Sequence, residues 1–168
     1  FFFVLYPLFF FGTTGPVSLP QEEVTAPIAP PQEEEAAPFD IPQDAFETND
    51  LSFLGGCWDT SANGLFNTVT KQPIIHTYCF DEEGTGTVNI DEYDENKVYV
   101  DSCRAPAHAS LQDDELHIDV PDLVQCQNSD RRYQKPQITC RRSGSDVVCI
   151  MDQKTLKGVK FIFVPSAK

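Results

Sequence analysis

The chain has 168 residues and six Cys, with 26 Asp and Glu against 12 Lys and Arg, for a formal charge of −14. That length holds one domain plus an appended segment. That charge argues against binding nucleic-acid phosphates or anionic lipid headgroups, both of which need a basic surface. The acidity is uneven: residues 1–50 carry nine acids and neither Lys nor Arg, so the remainder holds every base.

Residues 1–11 run from Phe1 to Phe11 and are apolar apart from Tyr6 and Pro7. A membrane span needs about 20 apolar residues. The stretch therefore reads as the truncated end of a transmembrane helix, or as the apolar region of a secretory signal. Residues 12–48 contain Pro16, Pro20, Pro27, Pro30, Pro31, Pro38 and Pro42 among Glu, Ala and Gln. So little apolar surface cannot offset chain entropy. Pro and like charges extend what remains, and the expectation is a disordered acidic linker.

From residue 49 onward the texture predicts an all-β domain. Runs rich in Val, Ile, Thr, Tyr and Phe occupy 74–80, 86–90, 97–100, 116–120, 138–140, 147–150 and 160–164, with turn-forming clusters at 81–84, 94–96, 112–114, 128–130 and 143–146. Strands of this length and spacing indicate a small antiparallel up-and-down barrel or meander sandwich of about eight strands. A short helical turn is expected near Pro121–Val124.

All six Cys lie between Cys57 and Cys149. An even set in a small domain behind an apolar leader indicates disulfides and an oxidising compartment. Six Cys allow 15 pairings. Facing residues of an antiparallel hairpin share a constant index sum, which favours sequential pairing. Cys57–Cys79 centres on Thr68, and Cys140–Cys149 on the Gly144–Ser145 turn. Cys103–Cys126 centres one position past the 112–114 turn, an offset that a one-residue bulge would absorb. No CxxC-like pair is present, so zinc is disfavoured, and no cofactor is expected.

Gly56-Cys57-Trp58 resembles the first-strand Gly-x-Trp of lipocalin-like barrels, in which Trp closes one end; there Gly would let neighbouring backbone approach. A wider set covers most of 51–150: Leu51-Ser52-Phe53-Leu54-Gly55-Gly56-Cys57-Trp58, Tyr78-Cys79-Phe80-Asp81 with Gly84-Thr85-Gly86, Cys103-Arg104-Ala105-Pro106-Ala107, and Ile138-Thr139-Cys140. This set resembles the C-terminal extracytoplasmic domain of bacterial SrfA-type virulence-associated membrane proteins. It departs at Gly55, where Glu is expected. The resemblance implies a periplasmic head behind a membrane anchor and Pro-rich spacer, and implies no reaction.

No Gly-x-Ser-x-Gly or His-Glu-x-x-His motif is present, and the chain is not expected to be an enzyme. His117 alternates with Leu116 and Ile118, so it should point outward. Asp91 to Asn96 lack the Gly and distal Glu of a calcium loop and read as a solvated turn. Two functional expectations stand. In one, a membrane-tethered periplasmic or extracellular domain binds a small apolar ligand or an envelope component, with Trp58, Tyr78, Phe80 and Phe161 lining the cavity. In the other, a solid-core module binds a protein partner through an outer face, with Arg131, Arg132, Lys135, Arg141 and Arg142 as one basic patch.

Overall fold

The computed structural model describes residues 38–60 and 71–167. The apolar opening at 1–11 and the linker up to residue 37 lie outside the described residues. A short helix, α1 (Ala45–Thr48), and a 3-10 turn (Ser52–Leu54) precede eleven strands. These are β1 (Gly56–Thr60), β2 (His76–Phe80), β3 (Thr85–Tyr93), β4 (Tyr99–Gln112), β5 (Glu115–Asp119), β6 (Val124–Cys126), β7 (Arg132–Tyr133), β8 (Gln137–Ser143), β9 (Asp146–Asp152), β10 (Val159–Phe161) and β11 (Phe163–Pro165).

All the strand pairings are antiparallel, and the sheet runs β10-β9-β8-β5-β4-β3-β2-β1-β11. Only Ile162 separates β10, which pairs with β9, from β11, which pairs with β1. One extended segment thus joins both edges of the sheet, and the meander is a nearly closed barrel. The strand count is eleven rather than about eight. Splitting of the last strand at Ile162 and the short β6–β7 ladder beside β4 account for the surplus. Residues 121–123 form no helical turn; they are a bend that leads into β6.

The two-residue period of a strand sorts the side chains. On β4, Asp101, Cys103, Ala105 and Ala107 are buried, while Arg104, Pro106 and His108 are exposed. Pro106 sits where β4 changes neighbour, because β6 pairs at 103–104 and β5 pairs at 108–112. The odd-numbered Ala109 donates to Gly84 on the β3 side, so position 106 faces this gap, where a missing N–H costs no ladder bond. Gly86 is needed for close approach: a Cβ there would lie 2.0 Å from the Cys79 carbonyl oxygen. Gly56 is needed for a different reason than the expected one. Nothing lies within 4 Å of its missing Cβ, but its φ of +118° excludes ordinary side chains.

The three disulfides are Cys57–Cys79, Cys103–Cys126 and Cys140–Cys149. Hairpin symmetry places the first and third directly opposite each other in β1–β2 and β8–β9. The second arises differently from the expected bulge. The chain leaves β4 after β5, turns at 120–123, and returns as β6 with its index sum shifted by two, so that Cys126 faces Cys103.

We call the end of the barrel where Gly56, Phe80 and Ser143 lie proximal, and the end with His76, Tyr93 and Tyr99 distal. Residues 38–55 cap the proximal end. Phe39, Ile41, Ala45, Leu51 and Leu54 are buried there. The Phe39 ring packs at 5.0 Å from Trp58 and 5.2 Å from Phe163. Arg142 at the end of β8 pairs with Asp40 at 2.8 Å. Packing therefore carries the folded unit N-terminal of residue 49, across residues assigned from composition to the linker. Ser166 donates its N–H to the Cys57 carbonyl, so the segment before β1 and the segment after β11 both lie at the proximal end.

Candidate functional site

The four aromatic residues expected to line a cavity lie in the barrel interior, and their neighbours there are other aromatic rings. Tyr78 is fully buried, Phe80 and Phe161 are buried, and Trp58 is half-buried. Tyr78 stacks on Phe80 at 6.3 Å and meets Phe163 edge-on at 5.7 Å, while Phe161 meets Phe163 at 5.1 Å. Trp58 donates its indole N–H to the Leu54 carbonyl at 2.9 Å, which fixes its ring against the cap. Phe39 and Phe163 complete this cluster, and neither was singled out from sequence. Phe39 was hidden by its acidic, Pro-rich surroundings.

Polar groups share this interior, and among the described residues His76 Nδ1 and the Tyr78 hydroxyl are buried with no hydrogen-bond partner. Burial lowers the His76 pKa to about 4 and raises that of Tyr78. His117 points outward as expected and lies 3.8 Å from Glu115.

The five basic residues do not form one patch. Arg142 is tied to Asp40 at the proximal end, and Arg141 faces Glu115 at 3.8 Å on the outer wall. Lys135 donates to the Pro121 carbonyl at 2.7 Å, and Arg132 is exposed on β7. Arg131 turns to the distal end, where it pairs with buried Glu92 and approaches buried Asp101 at 4.0 Å. Tyr133 donates its hydroxyl to Glu92, and its pKa is raised by burial first and by that bond second. Asp101 accepts from the Ser129 hydroxyl at 2.7 Å and the Asn128 N–H at 3.0 Å, which hold its pKa low. This network fastens the 127–133 segment to the distal end. Glu92 also lies near Cys103 and Cys126, but both sulfurs are committed to their disulfide and offer no thiolate to a metal.

The distal rim has a different character. Ile75, Tyr93, Val98, Tyr99 and Val100 are between 39 and 59 % exposed. Below the β3–β4 tip, on the outer face, lies a groove of about 420 Å³ lined by Asp59, Pro73, Ile75, Thr77, Asp91 and Tyr93, with Gln72 and Lys97. Asp59 accepts from the Thr77 hydroxyl at 2.6 Å and from the Ser166 hydroxyl at 3.0 Å. At the tip, Asp94 accepts from the N–H groups of Asn96 and Val98, so its carboxylate serves the turn. Ile75 and residues 98–100 were read from sequence only as strand, and Tyr93 as part of a solvated turn at 91–96, whereas β3 runs through Tyr93. The unbroken Val98-Tyr99-Val100 run was their one signal, because a half-buried strand should alternate.

Compared with protein-family models, curated proteins and solved structures, the chain matches none of them.

Proposed function

We propose that the chain is a non-catalytic extracytoplasmic β-domain, tethered to a bacterial membrane through its N-terminal segment, that acts as an interaction module for another envelope component. The observation that carries this reading is where the apolar residues go. The interior aromatics pack on one another, leaving the expected cavity-lining residues Trp58, Tyr78, Phe80 and Phe161 as core, while a separate apolar group stands exposed on the distal rim. Clustered exposed apolar side chains with a polar border are the usual mark of a docking surface. Three disulfides fit an oxidising compartment such as the periplasm. The SrfA-type resemblance supports the same location and a virulence-associated setting. Phe39 and Asp40 lie at the proximal end, and the rim is at the far side of the barrel from them.

Two measurements test this. Native mass spectrometry of the oxidised chain should give the bare mass less six hydrogens; an apolar adduct released on denaturation would restore the small-ligand reading. A photo-crosslinking side chain at Tyr99 should trap one envelope protein in cells, and the same group at His117 should not. Equal trapping at both positions would overturn the rim as the docking face.

A further inference from the structure

We propose that the distal groove receives a Lys or Arg side chain carried on an apolar segment of the partner protein, an inference that rests on the interaction reading above. The groove combines two kinds of wall. Pro73, Ile75 and the Tyr93 ring are apolar, and Asp59 places a carboxylate among them. The two oxygens of Asp59 are held by the hydroxyls of Thr77 and Ser166. Those donors are neutral, so they fix the carboxylate without cancelling its charge. Thr77 is itself buried, which makes this orientation part of the barrel wall. A fixed carboxylate in a groove walled by Pro73, Ile75 and an exposed Tyr93 ring suits a cation whose apolar neighbours lie along those walls. The apolar rim around Tyr99 and Val98 then suits the residues flanking that cation.

Charge selects the occupant. Residues 1–50 of this chain contain no Lys or Arg and cannot supply the cation. A second copy would bring its own charge of −14, which opposes approach. A partner with a base among apolar residues meets neither obstacle.

The test is amide chemical-shift mapping of the full chain with acetyl-Leu-Arg-Leu-amide, using acetyl-Leu-citrulline-Leu-amide as the neutral control of equal shape. The expected result is shifts centred on Asp59, Ile75, Thr77 and Tyr93 with the arginine peptide, and affinity about tenfold weaker with the citrulline peptide. Asp59→Asn should abolish the difference between the peptides; where that variant disturbs the fold, Tyr93→Leu should lower affinity for the arginine peptide while its far-wall resonances stay in place. Equal binding of both peptides at the groove would overturn the cation pocket while leaving the docking rim intact. Shifts scattered over the acidic surface would overturn it as nonspecific attraction. Concentration-dependent shifts at the groove without peptide would assign the site to a second copy and also overturn it. Failure of the docking reading itself is read separately, by the Tyr99 crosslink.

Discussion

Tyr93 and Tyr99 face each other across the β3–β4 ladder with ring centroids 6.1 Å apart, edge to face, although the preceding pair is Glu92 with Asp101. The register slips between these two pairs and leaves Val100 as an extra residue on β4. A bulge of this kind re-aims the side chains beside it. Without it, Tyr99 would share the inward side of Asp101. With it, both tyrosines are displayed at the rim.

Tyr99→Ser should therefore separate stability from binding. The lost edge-to-face contact is worth roughly 0.5–1.5 kcal/mol, and half of the side chain is already in water. Denaturant unfolding should shift by about 1 kcal/mol at most, while partner capture at the rim falls at least about tenfold. A large loss of stability would make Tyr99 a core residue and count against the rim.

The proximal cap gives the opposite expectation. Phe39 belongs by composition to the linker, yet it contacts Phe53, Trp58 and Phe163 in the core. Truncating a buried Phe to Ala costs roughly 3–5 kcal/mol. Phe39→Ala should unfold at clearly lower denaturant than the parent, and a chain beginning at residue 49 should be less stable still. Unchanged midpoints would mean that the cap does not hold in solution.

Much of this fold is legible in the residues. Alternation along 86–90 and 116–120 gives strand faces, and hairpin symmetry about Gly144 gives the Cys140–Cys149 pair. Symmetry works there because the index sum is constant along an uninterrupted ladder. It works less directly for Cys103–Cys126, where the chain leaves β4 and returns with a new register. Composition failed at Phe39 and Ile41 because their burial depends on a barrel mouth assembled from distant strands. The candidate groove was illegible for the same reason. Asp59, Ile75 and Tyr93 come from three strand regions, and nothing local to any of them marks the others. The basic patch failed because Arg131, Lys135, Arg141 and Arg142 each met a different partner, while Arg132 stands exposed on β7.

His76 should make the fold sensitive to mild acid. Its folded pKa of about 4 lies below the ordinary 6.5, and burial is the cause. Thr60, whose hydroxyl accepts the His76 backbone N–H at 3.0 Å, and Tyr78, its ring neighbour, bring no charge to offset that burial. Below pH 6.5 the unfolded chain takes up a proton that the folded chain refuses. Stability is then fully present above pH 6.5 and declines as pH falls toward 4, by up to ~3 kcal/mol. Urea midpoints at pH 7 and pH 4.5 should differ more for the parent than for His76→Leu. Equal pH dependence in the two would remove His76 from the account.

The three disulfides should not be equally open to reduction. Cys103, Cys126, Cys140 and Cys149 are buried, whereas Cys57 and Cys79 sit half-buried on the outer face of β1 and β2. Thiol–disulfide exchange needs a thiolate to reach the sulfur in line with the bond, so access sets the order at a given reductant strength. Under native conditions dithiothreitol should open Cys57–Cys79 first, leaving two thiols there and a cyclic disulfide on the reagent. The ladder of β1 with β2 and β11 remains to hold the strand in place. Differential alkylation followed by peptide mass mapping should find label at Cys57 and Cys79 while the far-ultraviolet circular dichroism is unchanged. Opening either buried bridge should require global unfolding and should coincide with loss of that signal. Simultaneous labelling of all six cysteines, with the fold intact, would contradict the burial on which this order rests.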